Sequence, residues 1–145
     1  MTSSVQDVCG LADDLLFPDA MRVDGLDVLP VAHLDALAAL GLYGAPVPVQ
    51  AGGLGLDLAT YCTVVEDLAG GCLATTFVWL QHRGLVMTLA AGGTPAALRD
   101  RWLGKACRGQ VRGGIALGGP GRSTTSWHGA GTCSTPRSVI RVSPR

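Results

Sequence analysis

The sequence predicts a mainly α fold: a bundle of about five helices, then a short β segment and a disordered tail. Three observations carry this. Apolar side chains recur at helical spacing in successive runs between residues 4 and 108, each run closed by Gly or Pro. Apolar residues make up 48% of the 145 and charged residues 15%, so there is ample surface to build a core. Past Gln110 the helical period gives way to the run Val111–Leu117 and then to an end rich in Ser, Thr and Arg.

The first helical run, residues 4–16, places Val5, Val8, Leu11, Ala12, Leu15 and Leu16 on one side and is expected to end at Phe17-Pro18. A second opens at Pro30, whose missing N–H costs nothing in a first turn, and continues through Val31, Leu34, Leu37, Ala38 and Leu40 to Gly41. Residues 44–55 hold too much Pro and Gly for a regular element and read as a loop. From Asp57 the stripe Leu58, Tyr61, Cys62, Val65, Leu68 and Ala69 predicts a third helix, ended by Gly70-Gly71.

Residues 72–91 carry two apolar stripes, one of Leu73, Phe77, Leu80, Met87 and Ala91, the other of Val78, Leu85 and Leu89. A helix apolar on most sides is buried on most sides, so this one is expected to be central. Thr94-Pro95 supplies a capping hydroxyl and a first-turn proline for a fifth helix, with Leu98 and Trp102 expected inward and Arg99 and Arg101 outward.

Charge is distributed unevenly. Residues 1–100 hold three arginines against eleven acids, whereas residues 101–145 hold seven arginines, one lysine and no acid. The last 25 residues also carry nine Ser/Thr, as many as the preceding 120. The chain is therefore read as a helical domain over 1–108, the start of a β-domain over 109–120, and an atypical tail over 121–145 that is disordered or out of frame. Only Val139–Val142 looks strand-forming within that tail.

Several functions are excluded on residue type and spacing. No apolar run reaches 18 residues, so no membrane span is expected, and no leader precedes the first helix, which suggests the cytoplasm. The basic end lacks a nucleic-acid motif. Cys9, Cys62, Cys72, Cys107 and Cys133 are scattered and read as buried thiols, and His33, His82 and His128 have no ligand spacing, so no metal site is expected. Glu66 and Asp67 are adjacent on a helix and face apart, which makes a solvated face rather than an acid/base pair.

An ordered series of short motifs resembles the N-terminal helical domain of the acyl-CoA dehydrogenase family. Ala39-Leu-Gly-Leu-Tyr-Gly44 is similar to that family's LGLxG, and Pro48-Val-Gln-Ala-Gly-Gly-Leu-Gly-Leu-Asp57 to its PEExGGLGLD. Val64-Val-Glu-Asp-Leu-Ala69 is similar to VxEELA, and Gly93-Thr94 with Leu98, Arg101, Trp102 and Leu103 to the helix that follows. Gly109-Gln110 and Ile115-Ala116-Leu117 resemble the entry into the middle β-domain, with Gly118-Gly119 standing where the family has Thr-Glu.

The resemblance implies an orthogonal helical bundle and FAD-dependent α,β-dehydrogenation of an acyl-CoA, with electrons passed to an electron-transfer flavoprotein by a homo-oligomer. It places Thr76, Phe77, Leu80 and His82 along the acyl chain, and Leu117 and Gly118, through backbone N–H groups, at the flavin. The family's catalytic carboxylate lies in a C-terminal domain with no counterpart in these residues. The expectation is thus an inactive fragment with no catalytic residue of its own, prone to aggregate; the alternative is a non-enzymatic helical interaction module.

Overall fold

The computed structural model describes residues 2–116 and 139–144, with side chains over 6–114. Among them are α1 (Thr2–Leu11), α2 (Phe17–Asp24), α3 (Val31–Ala39), α4 (Leu58–Gly71), α5 (Leu73–Ala90) and α6 (Ala96–Cys107), followed by strands β1 (Val111–Ala116) and β2 (Val139–Pro144). The protein is mainly helical.

α1 and α2 are one rod, because Ala12–Leu16 between them is a π-helical turn whose flanking residues keep helical dihedrals. The helix therefore runs past Phe17-Pro18 instead of ending there. Pro18 cannot donate to the carbonyl four residues back and its ring crowds that carbonyl. The π turn relieves this by widening the ladder, with the Phe17 N–H bonding to Ala12 O. With this rod counted once, the described residues form five helices.

Sequence punctuation is otherwise followed closely. Pro30 caps α3 and Asp57 caps α4, where its carboxylate accepts the Thr60 N–H at 2.8 Å. At α6 the cap is Pro95 rather than Thr94, whose hydroxyl turns back to donate to the Thr88 carbonyl. The Pro- and Gly-rich loop is ordered: it holds two single 3-10 turns, Leu42–Gly44 and Val49–Ala51, and backbone bonds close it on itself. Leu54 N–H donates to Gly44 O at 3.1 Å, Gly55 N–H to Val47 O at 2.8 Å and Leu56 N–H to Ala45 O at 2.9 Å. Gly53 is required there, since a Cβ would overlap the carbonyl oxygens of Val47 and Gly44.

The core has two parts joined by α5. One holds Val8, Leu16, Leu37, Leu42, Tyr43, Leu68 and Trp79; the other packs Leu85, Val86 and Leu89 of α5 on Leu103, Ala106 and Cys107 of α6, with Val47. Each fully buried leucine contributes about 1.5–3 kcal/mol by leaving water.

Which faces are buried departs from the apolar count. On α4 the inward residues are Tyr61, Val64, Leu68 and Gly71, while Leu58 and Cys62 face solvent. On α5 they are Thr75, Thr76, Trp79, His82, Leu85, Val86 and Leu89, and Leu73 and Phe77 are exposed. The buried threonines and histidine all have hydrogen-bond partners, which removes the cost that normally keeps polar groups outside. Leu98 of α6 is likewise exposed and Trp102 half-buried, with Arg99 half-buried and Arg101 exposed. Of the described cysteines, all free thiols, Cys72 and Cys107 are buried, Cys9 is half-buried and Cys62 is exposed.

β1 pairs with β2 in antiparallel register, Val111 opposite Pro144 and Ala116 opposite Val139. The short strand expected at Val139–Val142 is β2, which extends to Pro144. The remainder of the tail expectation, residues 121–138 and 145, lies outside the described residues.

Candidate functional site

Two buried imidazoles organise the helices, and one of them borders a pocket. His82 sits on α5 facing the end of α6 and the start of β1. Its Nε2 donates to Ala106 O at 3.0 Å and its Nδ1 accepts the Gly113 N–H at 3.2 Å. A backbone carbonyl only accepts and an N–H only donates, so the ring is the neutral Nε2–H tautomer. Burial drives its pKa down from 6.5 to about 4, only partly offset by the Nε2–H bond to Ala106 O, which favours the proton. Tyr43 meets the ring edge-on at 4.8 Å between centroids, and burial pushes the Tyr43 phenol up.

The second imidazole, His33 on α3, links three helices. Its Nδ1 lies 3.1 Å from the Thr75 hydroxyl of α5, and its Nε2 3.0 Å from Asp19 of α2. An ionised carboxylate can only accept, so Nε2 carries a proton. Arg22 holds the Asp19 carboxyl below its ordinary range from the solvent side. Serine-protease-like order (hydroxyl, imidazole, carboxylate) is present here, but Thr75 is fully buried and no substrate reaches it. The arrangement fastens helices.

Beside His82 is a pocket of about 270 Å³ lined by Leu34, Tyr43, Val78, Gln81, His82, Arg112, Gly113 and Gly114. Its walls are α3, α5 and β1, with Tyr43 from the 3-10 turn. None of the described lining residues is a carboxylate, and His82 has both ring nitrogens engaged. Arg112 stands over the Tyr43 ring at 5.3 Å and pairs with Asp35 of α3.

Of the residues that the resemblance placed along an acyl chain, His82 alone lines this pocket. Thr76 is buried one turn away, its hydroxyl donating to Cys72 O at 2.9 Å. Leu80 is half-buried against the main core, and Phe77 is 60% exposed. Leu117 and Gly118 lie outside the described residues. Tyr43, Gln81 and Arg112 are the site residues that sequence reading missed. Gln81 adjoins His82, and Arg112 is the one charge in the first β segment, but only the packing of β1 on α5 brings them together.

Glu66 is exposed, while Asp67 accepts the Cys9 thiol at 3.4 Å. Among the described residues no cluster of three His, Cys, Asp or Glu is placed to hold a metal. At this pocket the Gly113 N–H is already given to His82 and is not a free donor to a flavin.

A helical bundle leading directly into an antiparallel β segment, with a small pocket at the junction, is the class of protein these residues define. The family model described as "Acyl-CoA dehydrogenase, N-terminal domain" matches residues 4–110, and the chain belongs to that family. It is 29% identical over 124 residues to the human mitochondrial short-chain specific acyl-CoA dehydrogenase, covering 86% of this chain and 29% of that protein. To cyclohex-1-ene-1-carbonyl-CoA dehydrogenase of Syntrophus aciditrophicus (strain SB) it is 32% identical over 96 residues, 66% of this chain and 23% of the relative. To (2S)-methylsuccinyl-CoA dehydrogenase of Cereibacter sphaeroides it is 28% identical over 85 residues, 59% of this chain and 15% of the relative. The chain spans less than a third of the length of these relatives. Among the described residues no helix is long and apolar enough to cross a membrane.

Proposed function

We propose that this chain forms the helical wall of an acyl-CoA binding cleft, receiving a short acyl group in the pocket beside His82, and that by itself it does not dehydrogenate. The family is generally FAD-dependent. Its reaction needs a base at the α-carbon, a hydride acceptor, and donors on the thioester oxygen. The observation that carries the proposal is the pocket lining. Leu34, Val78, Tyr43 and the two glycines offer an apolar, side-chain-poor groove, and His82, pinned by Ala106 and Gly113, cannot take a proton from substrate.

What the residues do follows from these positions. His82 holds β1 against α5 and so fixes the width of the groove. Tyr43 closes one end. Gln81 presents an amide at the rim for hydrogen bonding. FAD, an electron-transfer flavoprotein, a homo-oligomeric assembly and a cytoplasmic setting belong to the same proposal. In it Thr76 and Leu80 act from beneath the groove wall, Phe77 lies on the outer face of α5, and Leu117 and Gly118 approach the flavin.

The test uses the purified full chain. It is scanned for flavin absorbance and assayed for thioester oxidation with a dye acceptor. The expected result is a colourless, inactive protein that binds a short-chain acyl-CoA. A flavin-loaded chain that oxidises the thioester unaided overturns the proposal.

A further inference from the structure

Arg112 lines the His82 pocket and also a second cleft, of about 560 Å³, bounded by Asp35, Ala38 and Ala39 of α3 and by Arg108, Gly109 and Gln110 of the turn between α6 and β1. The turn is pressed onto α3. Gly109 has φ +66°, and a Cβ there would come within 2.9 Å of both Ala38 and Tyr43. That contact fixes where Arg108, Gln110 and Arg112 sit.

The cleft is electropositive. Two arginines and one amide line it with a single acid among the described residues, Asp35, which is itself 44% exposed and bonds to one Arg112 terminal nitrogen, while the Arg108 guanidinium lies back over Gly104 of α6. The Arg112 Nε is shielded from water and has no hydrogen-bond partner among the described residues. A shielded N–H without an acceptor is unusual in a folded protein, and for a guanidinium the fitting partner is an anionic oxygen.

We propose that Arg112, Arg108 and Gln110 form a binding site for an oxyanion, the carboxylate or phosphate group of a small ligand, in the cleft between α3 and the α6–β1 turn. The site adjoins the acyl groove and shares Arg112 with it, whereas Arg108 and Gln110 do not line that groove. Arg112 supplies a charged donor shared by both cavities, Arg108 a second charge from the rim, and Gln110 a neutral donor. Asp35 positions Arg112 and competes with the ligand for its charge.

The test is calorimetric titration of the full chain at low ionic strength with inorganic phosphate and, separately, with succinate. One site is expected, weakened by added salt. Arg108→Gln, at an exposed position, and Arg112→Lys, which keeps the charge but removes the fork, are each expected to weaken binding about tenfold. Asp35→Asn removes the competing charge and is expected to tighten binding about two- to fivefold. Tighter binding of phosphate assigns the site to a phosphoryl group; tighter binding of succinate assigns it to a carboxylate. Absence of binding by both ions overturns the proposal. So does binding unchanged in both Arg108→Gln and Asp35→Asn.

Discussion

The Gly113 N–H donates to His82 Nδ1 across 3.2 Å, joining the first strand to the central helix 31 residues earlier in the chain. With the opposite nitrogen bonded to Ala106 O, one neutral imidazole ties α5, α6 and β1 together. Replacing it leaves a buried carbonyl and a strand N–H without partners. His82→Phe, similar in size, is therefore expected to destabilise the chain by about 2–4 kcal/mol in urea unfolding. A loss under 0.5 kcal/mol would show that the two bonds are not structural.

The same residue sets a pH dependence. Its folded pKa, about 4, lies below its unfolded value of 6.5. Above pH 6.5 both states are neutral and the stability from His82 is fully present. Between pH 6.5 and 4 the unfolded chain takes up a proton that the folded chain refuses, so stability falls as pH drops. The linkage is about 3 kcal/mol across that window. Comparing urea unfolding at pH 7 and pH 4 in wild type and His82→Phe isolates it: the difference between the two proteins is expected to shrink as pH falls. A difference independent of pH contradicts the assignment.

The two faces of α5 give opposite predictions. Trp79 is buried beside Tyr61, with ring centroids 6.0 Å apart, whereas Phe77 is 60% exposed. Trp79→Ala is expected to cost about 3–5 kcal/mol. Phe77→Ser is expected to change stability by less than about 0.5 kcal/mol. Equal losses at both positions, measured by thermal unfolding, would mean that the helix is rotated from the orientation described.

Much of the fold was legible because it is written in punctuation. Pro30, Asp57, the glycine pair at 70 and 71 and the residues after Ala91 mark helix ends through local backbone chemistry alone. The burial pattern of α5 was not legible. The apolar stripes put Leu73 and Phe77 inward, where they are exposed, and the partners that hold the buried Thr75 and His82, His33 and Ala106, are 42 and 24 residues away. Pro18 misled for a related reason: the π turn that tolerates it is a response of the ladder and not a residue type. At the candidate site His82 was legible by resemblance. Arg112 became visible only when the turn at Gly109 laid it against Tyr43.

Loop closure gives a further expectation. A methyl group at position 53 would overlap the Val47 and Gly44 carbonyl oxygens. The backbone bonds between residues 44–47 and 53–56 would have to open. Gly53→Ala is expected to cost about 3 kcal/mol and to raise amide exchange at Leu54, Gly55 and Leu56. Wild-type exchange rates in the variant would show that the loop is not held by these bonds.

The central claim, that the groove between α3, α5 and β1 receives the acyl group, is tested most directly by nitrogen-resolved NMR of the full chain titrated with butyryl-CoA. The expected result is saturable shifts at Gln81, His82, Gly113 and Gly114, reduced by Val78→Trp, which fills the groove from α5. Saturable shifts confined to other residues, or none at all while the spectrum remains that of a folded protein, would contradict it.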